Sequence, residues 1–224
     1  DQLTNAVEKG VTDESYGLIP NGYLFLENGV ITAFGPLSAL QENLAINRAM
    51  SQIDDAIDAD GRLLTPAFID CHTHVVYGGH RALEFEMRLE GASYTEVAKA
   101  GGGIVSTVSA TRSQSIEQLA EGALARVDAL IAEGISLIEI KSGYGLDIQT
   151  ELRMLRAARA IEAARPVRVV TSFLGAHAMP PGEDRSQGNY IEKTCIPALR
   201  QAHKERLVDA VDGFCESIAF SADQ

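Results

Sequence analysis

The feature that most restricts the fold is an alternation of short apolar runs with amphipathic helical segments from Pro66 onward. One helical pattern begins at Ser115, which forms a candidate capping box with Gln118. A second covers about Gln149 to Ala164, and each helical pattern is followed by an apolar run. Right-handed strand–helix–strand connections of this kind build parallel sheets, so the order predicts an α/β fold.

Four apolar runs are candidate barrel strands. They are Phe68–Val75, Ile135–Lys141, Val167–Leu174 and Val211–Glu216. The first is predicted to be mostly buried. A (β/α)8 TIM-like barrel needs eight strands and typically about 250 residues. We therefore predict that residues 66–224 form the first half of such a barrel.

Residues 1–65 follow a different pattern, with short strands separated by turns. Asn28-Gly29 lies between two strand-like stretches, which is a strong hairpin signal. A further strand is predicted around a turn at Asp60-Gly61. We interpret these residues as a small N-terminal β subdomain.

Composition excludes several classes of protein. The formal net charge of −12 argues against nucleic-acid binding, which uses basic surfaces. No apolar run approaches the ~20 residues of a membrane-spanning helix, and the first residues lack the pattern of a secretory signal. Three widely spaced cysteines are typical of a reducing compartment, so a cytoplasmic location is expected.

The strongest chemical motif is DCHTHVVYGG, residues 70–79. Side chains alternate along a strand, so Asp70, His72 and His74 share one face. Two imidazoles at this spacing can bind one ion, and imidazole favours zinc, iron, nickel or copper. Two ligands alone do not complete a catalytic site, and two ordinary histidines at a strand end remain an alternative.

Further polar groups follow this motif and the next two strands. Arg81 can bind a carboxylate or simply pair with Glu84 or Glu86 on the surface. Tyr144 follows the second strand within a glycine turn, and His177 follows the third. Each has a purely structural alternative, but three successive strand ends converge at the face where barrel sites lie.

These segments resemble a known family. FIDCHTHVVYGG resembles the first-strand metal motif of the amidohydrolase superfamily. RALEFEMRLEGASY, AGGGIVSTVSATR, EIKSGYGLD and SFLGAHAMPP are together similar to the imidazolonepropionases. The resemblance runs from about Tyr23 to the last residue. It implies a metal-dependent hydrolase barrel, a small β-sandwich built from both chain ends, one zinc or iron ion, and a homodimer.

The resemblance also implies roles for individual residues. His72 and His74 match metal ligands, Arg81 matches the group that holds the substrate propionate, and Tyr94 and Tyr144 match substrate-contacting tyrosines. His177 matches a catalytic pocket histidine that contacts the substrate ring. The implied reaction is hydrolysis of the ring amide of 4-imidazolone-5-propionate to N-formimidoyl-L-glutamate by a metal-activated water.

The family's third metal histidine, its substrate-directed glutamate and its metal-binding aspartate have no match here and are expected beyond Gln224. Two alternatives therefore stay open. The chain can belong to another amidohydrolase, a cyclic amidase or deaminase, or it can be an inactive half-barrel fragment.

Overall fold

The computed structural model describes residues 17–42, 53–93, 96, 102–180, 189–216 and 219–223. The chain divides into two compact units, Asp1–Thr65 and Pro66–Gln224.

The N-terminal unit contains an antiparallel hairpin. Strand β1 (Gly22–Glu27) pairs with β2 (Val30–Pro36), and a short helix α1 (Ser38–Glu42) follows. Asn28 and Gly29 both have positive φ angles, 52° and 77°. That backbone matches the twist of a two-residue hairpin turn, so the hairpin prediction is confirmed.

The further strand predicted near Asp60-Gly61 is wrong. The turn itself forms, with φ angles of 51° and 71°. The described residues 53–66 around it contain no strand, and Leu63 is 74% exposed. A strand needs a ladder partner, and this segment has none among the described residues.

The C-terminal unit is a mixed α/β structure with a curled parallel sheet of the half-barrel kind. Its strands are β3 (Phe68–Thr73), β4 (Ile135–Lys141), β5 (Arg168–Ala176) and β6 (Ala210–Gly213). Their spatial order is β3-β4-β5-β6, and all neighbours are parallel. The four predicted strands are therefore present, with ends shifted by a few residues.

Strand β3 is less buried than its sequence suggests. Phe68 and Ile69 are each 63% exposed. Among the described residues β3 pairs only with β4, so it forms one edge of the sheet. The prediction of a mostly buried first strand is wrong because apolar composition does not reveal which strand is at an edge.

Helices connect and cover the strands. They are α2 (Ala82–Leu89), α3 (Ile104–Arg112), α4 (Ile116–Ala132), α5 (Ile148–Ala164) and α6 (Ile196–Lys204), the last preceded by a π-helical turn (Ile191–Cys195). Helix α3 occupies a stretch that the sequence alone leaves without a clear assignment. Helix α5 begins after Asp147, whose side chain accepts a hydrogen bond from the Thr150 amide.

The main core lies between the sheet and helices α4 and α5. Its fully buried members include Leu119, Val127, Ile138, Ile140 and Ile161. Ile138 and Ile140 alternate with Glu139 and Lys141 along β4. Because side chains alternate across a strand, the two charged residues lie on the opposite face of the sheet from this core.

The capping box at the start of α4 is confirmed. The Ser115 side chain accepts from the Gln118 amide, and the Gln118 side chain accepts from the Ser115 amide.

Replacing Ser115 with alanine should cost about 1 kcal/mol of unfolding free energy. This corresponds to a loss of roughly 2–4 °C in Tm for a domain of this size. Thermal denaturation checks it, with the exposed Ser109→Ala on α3 as the matched control; equal melting temperatures for the two variants would contradict the assigned role of the cap.

Candidate active site

The histidine pair lies at the end of the edge strand. His72 is in β3, and His74 is the first residue after the end of this strand. The ring centroids of the two histidines are 5.6 Å apart. The Asp70 carboxylate accepts a hydrogen bond from the backbone amide of His72 at 3.2 Å. Asp70 therefore orients the backbone of this motif.

Three side chains from successive strand ends meet in one cluster. The ring of His74 lies 5.3 Å from Tyr144 and 5.2 Å from His177, and it is stacked on His177. Tyr144 and His177 are themselves 5.3 Å apart. The structure thus brings together four of the predicted site residues, since His72 also contacts His74.

His74 is in a strongly perturbed environment. Burial, followed by the positive charges of His177 and His72, lowers the pKa of His74 to about 4. The imidazole is therefore neutral at neutral pH, which is the form that binds metals. Its Nδ1 atom is buried and has no hydrogen-bond partner in the described part of the chain.

Tyr144 is carried by the loop between β4 and α5. Burial raises the pKa of its hydroxyl, and the nearby charge of Arg81 opposes that increase. On its other side Tyr77 makes an edge contact at 6.3 Å. The Tyr77 ring is held in turn by the guanidinium of Arg126, 4.1 Å from the ring centroid.

The same loop fixes the orientation of His177. The Nδ1 atom of His177 lies 2.8 Å from the Gly143 carbonyl oxygen. A carbonyl only accepts, so Nδ1 carries the proton and donates it. In the neutral ring Nε2 is then an acceptor, available to a substrate group or a water molecule.

Arg81 lies at the start of α2, and its side chain is 45% exposed. Its Nε atom donates to the Thr107 hydroxyl at 3.1 Å, whereas the nearest Glu84 oxygen is 4.0 Å away. The alternative of a surface pair with Glu84 is therefore poorly supported, because this distance is too long for a hydrogen bond. The Glu84 carboxylate instead accepts from the Gly103 amide and the Ser106 hydroxyl.

Helix α3 braces both loops of the site. Thr107 holds Arg81, and the Thr111 hydroxyl accepts from the Gly78 amide at 3.0 Å. A Cβ on Gly78 would lie 2.6 Å from the Ala110 carbonyl oxygen, so this contact requires glycine. Arg112 completes the set by donating to the Gly145 carbonyl at 2.7 Å.

A partly buried charged network lies on the sheet face opposite the core. The Lys141 ammonium donates to Glu139 at 2.8 Å and to Asp212 at 3.0 Å, and the Ser172 hydroxyl also donates to Glu139. Burial disfavours the Lys141 charge, but these two carboxylates outweigh it and raise the pKa of Lys141. Lys141 and Glu139 both act electrostatically on His74, so the network belongs to the surroundings of the histidine pair.

Some sequence expectations lie outside this cluster. Tyr94 is not among the described residues. His80 and His203 are exposed. Burial raises the pKa of Cys195 to about 11, so this thiol remains protonated at neutral pH.

Other participants were missed by sequence analysis, among them Thr107, Glu139, Asp212 and Phe214, whose ring lies 6.2 Å from that of His177. A signal existed only for Glu139: a glutamate and a lysine alternate within an otherwise apolar strand.

Comparison with known proteins assigns the family. The chain is 58% identical over 210 residues to an imidazolonepropionase of Ruegeria sp. (strain TM1040), covering 94% of this chain and 50% of that protein. It is 60% identical over 209 residues to that of Ruegeria pomeroyi (93% and 50%), and 54% identical over 205 residues to that of Rhizobium meliloti (92% and 48%). The sequence places this chain with the imidazolonepropionases. The chain spans about half the length of the curated relatives it matches.

The predicted resemblance to the imidazolonepropionases is thereby confirmed. No family profile matches the chain. None of the helices in the described ranges has both the length and the apolar character needed to cross a bilayer.

Proposed function

We propose that the complete protein hydrolyses the ring amide of 4-imidazolone-5-propionate to N-formimidoyl-L-glutamate in histidine degradation. The observation that carries this proposal is that relatives named imidazolonepropionase are 52–60% identical over 92–95% of the chain. The cluster of His72, His74, Tyr144 and His177, with Arg81 nearby, supports this proposal, because it would supply the polar groups that such a reaction needs.

The residues present fit a metal ion. His72 and His74 would hold one zinc or iron ion, because the buried Nδ1 of His74 has no described partner and its ring is neutral at neutral pH. When bound, such an ion supplies Lewis-acid activation of water. No group of three or more histidine, cysteine or acidic residues able to hold a metal occurs within the described ranges. Further ligands would therefore come from elsewhere in the complete protein.

The chain's own residues would bind and orient the substrate. The guanidinium of Arg81, steadied by Thr107, would hold the propionate as a charge-assisted pair. His177, whose Nδ1 donates to the Gly143 carbonyl, would hydrogen-bond the substrate ring through Nε2 as a catalytic residue. Tyr144 would contact the ring through its hydroxyl, and Tyr94 is proposed to do the same.

The finer architecture belongs to the same proposal. Residues 66–224 would form the first half of a metal-dependent (β/α)8 hydrolase barrel. Residues 1–65 would contribute to a β-sandwich built from both chain ends. The resemblance further supports a homodimer and a cytoplasmic location, with no nucleic-acid or membrane partner. Sedimentation of the complete protein and its experimentally determined structure would test these points.

The activity is tested directly by mixing the complete, metal-loaded protein with 4-imidazolone-5-propionate and following the absorbance of the imidazolone. Steady loss of this absorbance with formation of N-formimidoyl-L-glutamate is expected. Absence of turnover by a folded, metal-loaded protein would contradict the proposal.

Thr107→Val should weaken propionate binding indirectly, through Arg81. It removes the oxygen that accepts from Arg81 Nε, and one hydrogen bond to a charged group contributes ~1.5 kcal/mol. The expected result is about a 10-fold increase in KM with kcat nearly unchanged. Steady-state kinetics measures this, and Thr107→Ser, which retains the hydroxyl, should behave as wild type. A Thr107→Ser variant as impaired as Thr107→Val would show that the hydrogen bond is not the cause.

A further inference from the structure

A carboxylate that no site prediction includes lies directly beneath the Tyr144 loop. Glu151, in the first turn of α5, is only 1% exposed. Its Oε1 atom accepts from the amides of Gly145 and Leu146, each at 2.8 Å, and its Oε2 atom accepts from the Gly143 amide at 2.9 Å. Burial raises the pKa of this carboxyl group, and the three amide donors act against that rise. A buried carboxylate is stabilised only when such donors replace water.

The loop is shaped around this carboxylate. A Cβ on Gly145 would lie 2.6 Å from the Glu151 nitrogen, and one on Gly143 would lie 2.9 Å from His177 Nδ1. Gly143 has a φ of 113°, and Leu146, which is buried, has a φ of 53°. A leucine in the left-handed region persists only where its surroundings determine the backbone, and here its amide is bound by Glu151.

The loop held in this way carries two groups of the site. Tyr144 lies between two of the amides that Glu151 binds, and the carbonyl of Gly143 accepts from His177. On the opposite side Arg112 donates to the carbonyl of Gly145. The peptide groups on both sides of Tyr144 are therefore bound through buried polar contacts.

We propose that Glu151 is a positioning residue: its carboxylate sets the conformation of the Gly143–Leu146 loop, and through it places Tyr144 and selects the His177 ring form protonated on Nδ1. The kinetic part of this inference rests on the proposed function. The structural part does not, because it concerns amide groups and a histidine that can be observed without substrate.

The test compares wild type with Glu151→Gln in a protein of the relatives' full length that carries this sequence. Glutamine has nearly the same size, but it places an NH2 group opposite an amide that must donate. Amide hydrogen exchange at Gly143, Gly145 and Leu146 should accelerate about 10-fold or more. The 15N spectrum of labelled His177 should change from one Nδ1-protonated form to a mixture of both ring forms. The kcat/KM value should fall about 10²-fold, as expected for ångström-scale misplacement of pocket groups.

The matched control is Glu162→Gln on the same helix. Glu162 accepts from the Val169 amide and is exposed, away from the loop. It should leave the His177 spectrum and kcat/KM unchanged. A folded Glu151→Gln protein with wild-type His177 signals and wild-type loop exchange would overturn the proposal, whatever its activity. If wild type itself lacks turnover while the spectral changes occur, the proposed function fails and the positioning role stands.

A second variant covers the case in which Glu151→Gln does not fold. Glu151→Asp keeps the carboxylate but shortens the side chain by one methylene group, so that it cannot reach all three amides at once. The same changes in exchange and His177 signals are expected at smaller size, with kcat/KM lower by about 10-fold. A Glu151→Asp protein identical to wild type in all three measurements would overturn the proposal.

Discussion

Replacing His72 and His74 together with alanine should abolish metal binding and lower kcat/KM of the complete protein about 10³-fold or more. The two rings are 5.6 Å apart at the end of β3, and His74 is neutral, with a buried Nδ1 that has no hydrogen-bond partner among the described residues. Metal activation of water lowers the activation free energy by several kcal/mol, and roughly 4 kcal/mol corresponds to this factor in rate. Metal content by elemental analysis and steady-state kinetics measure the two effects.

The control for the histidine pair is His203→Ala, which removes the same kind of side chain from an exposed position on α6. It should keep both metal and activity. A double variant of His72 and His74 that still binds one equivalent of metal would contradict their assignment as ligands.

Arg81→Ala should raise KM for 4-imidazolone-5-propionate about 10²-fold while kcat falls much less. The guanidinium is 45% exposed but steadied by Thr107 and is close enough to act on the Tyr144 hydroxyl. Charge-assisted hydrogen bonds to a carboxylate contribute up to ~3 kcal/mol, which is about 10²-fold in affinity. Initial-rate kinetics over a wide range of substrate concentration measures the change.

The matched control is Arg88→Ala, which removes an exposed arginine from the last turn of the same helix. It should leave KM unchanged. An unchanged KM in Arg81→Ala would instead favour another amidohydrolase activity, whose substrate lacks the propionate.

Much of the fold could be predicted because its signals are local. The Asn28-Gly29 turn, the Ser115 cap and the apolar alternation of β4 each depend on neighbouring residues alone. The burial of β3 could not be predicted in this way, because an apolar strand has the same sequence at an edge as in a sheet centre. The sequence does not reveal helix α3, because a glycine run and several serines and threonines conceal its pattern.

Part of the candidate site could be predicted from the sequence, and part of it could not. His72, His74, Tyr144 and His177 are unusual residue types at strand ends, so topology alone places them together. Thr107 and Glu151 look like ordinary helix residues in the sequence, and only the packing of α3 and α5 against the loops shows what they contact.

Helix α3 has a consequence for substrate length. Through Thr107 it holds Arg81, and through Arg112, about one turn later, it holds the loop that carries Tyr144. Under the proposed function, Arg81 and Tyr144 bind the two ends of the substrate, its carboxylate and its ring. Helix α3 then fixes the distance between the two binding groups. The chain length accepted between ring and carboxylate is set by a spacing of five residues along α3. Homologues that process a shorter or longer acid would be expected to differ in this helix rather than at the metal ligands.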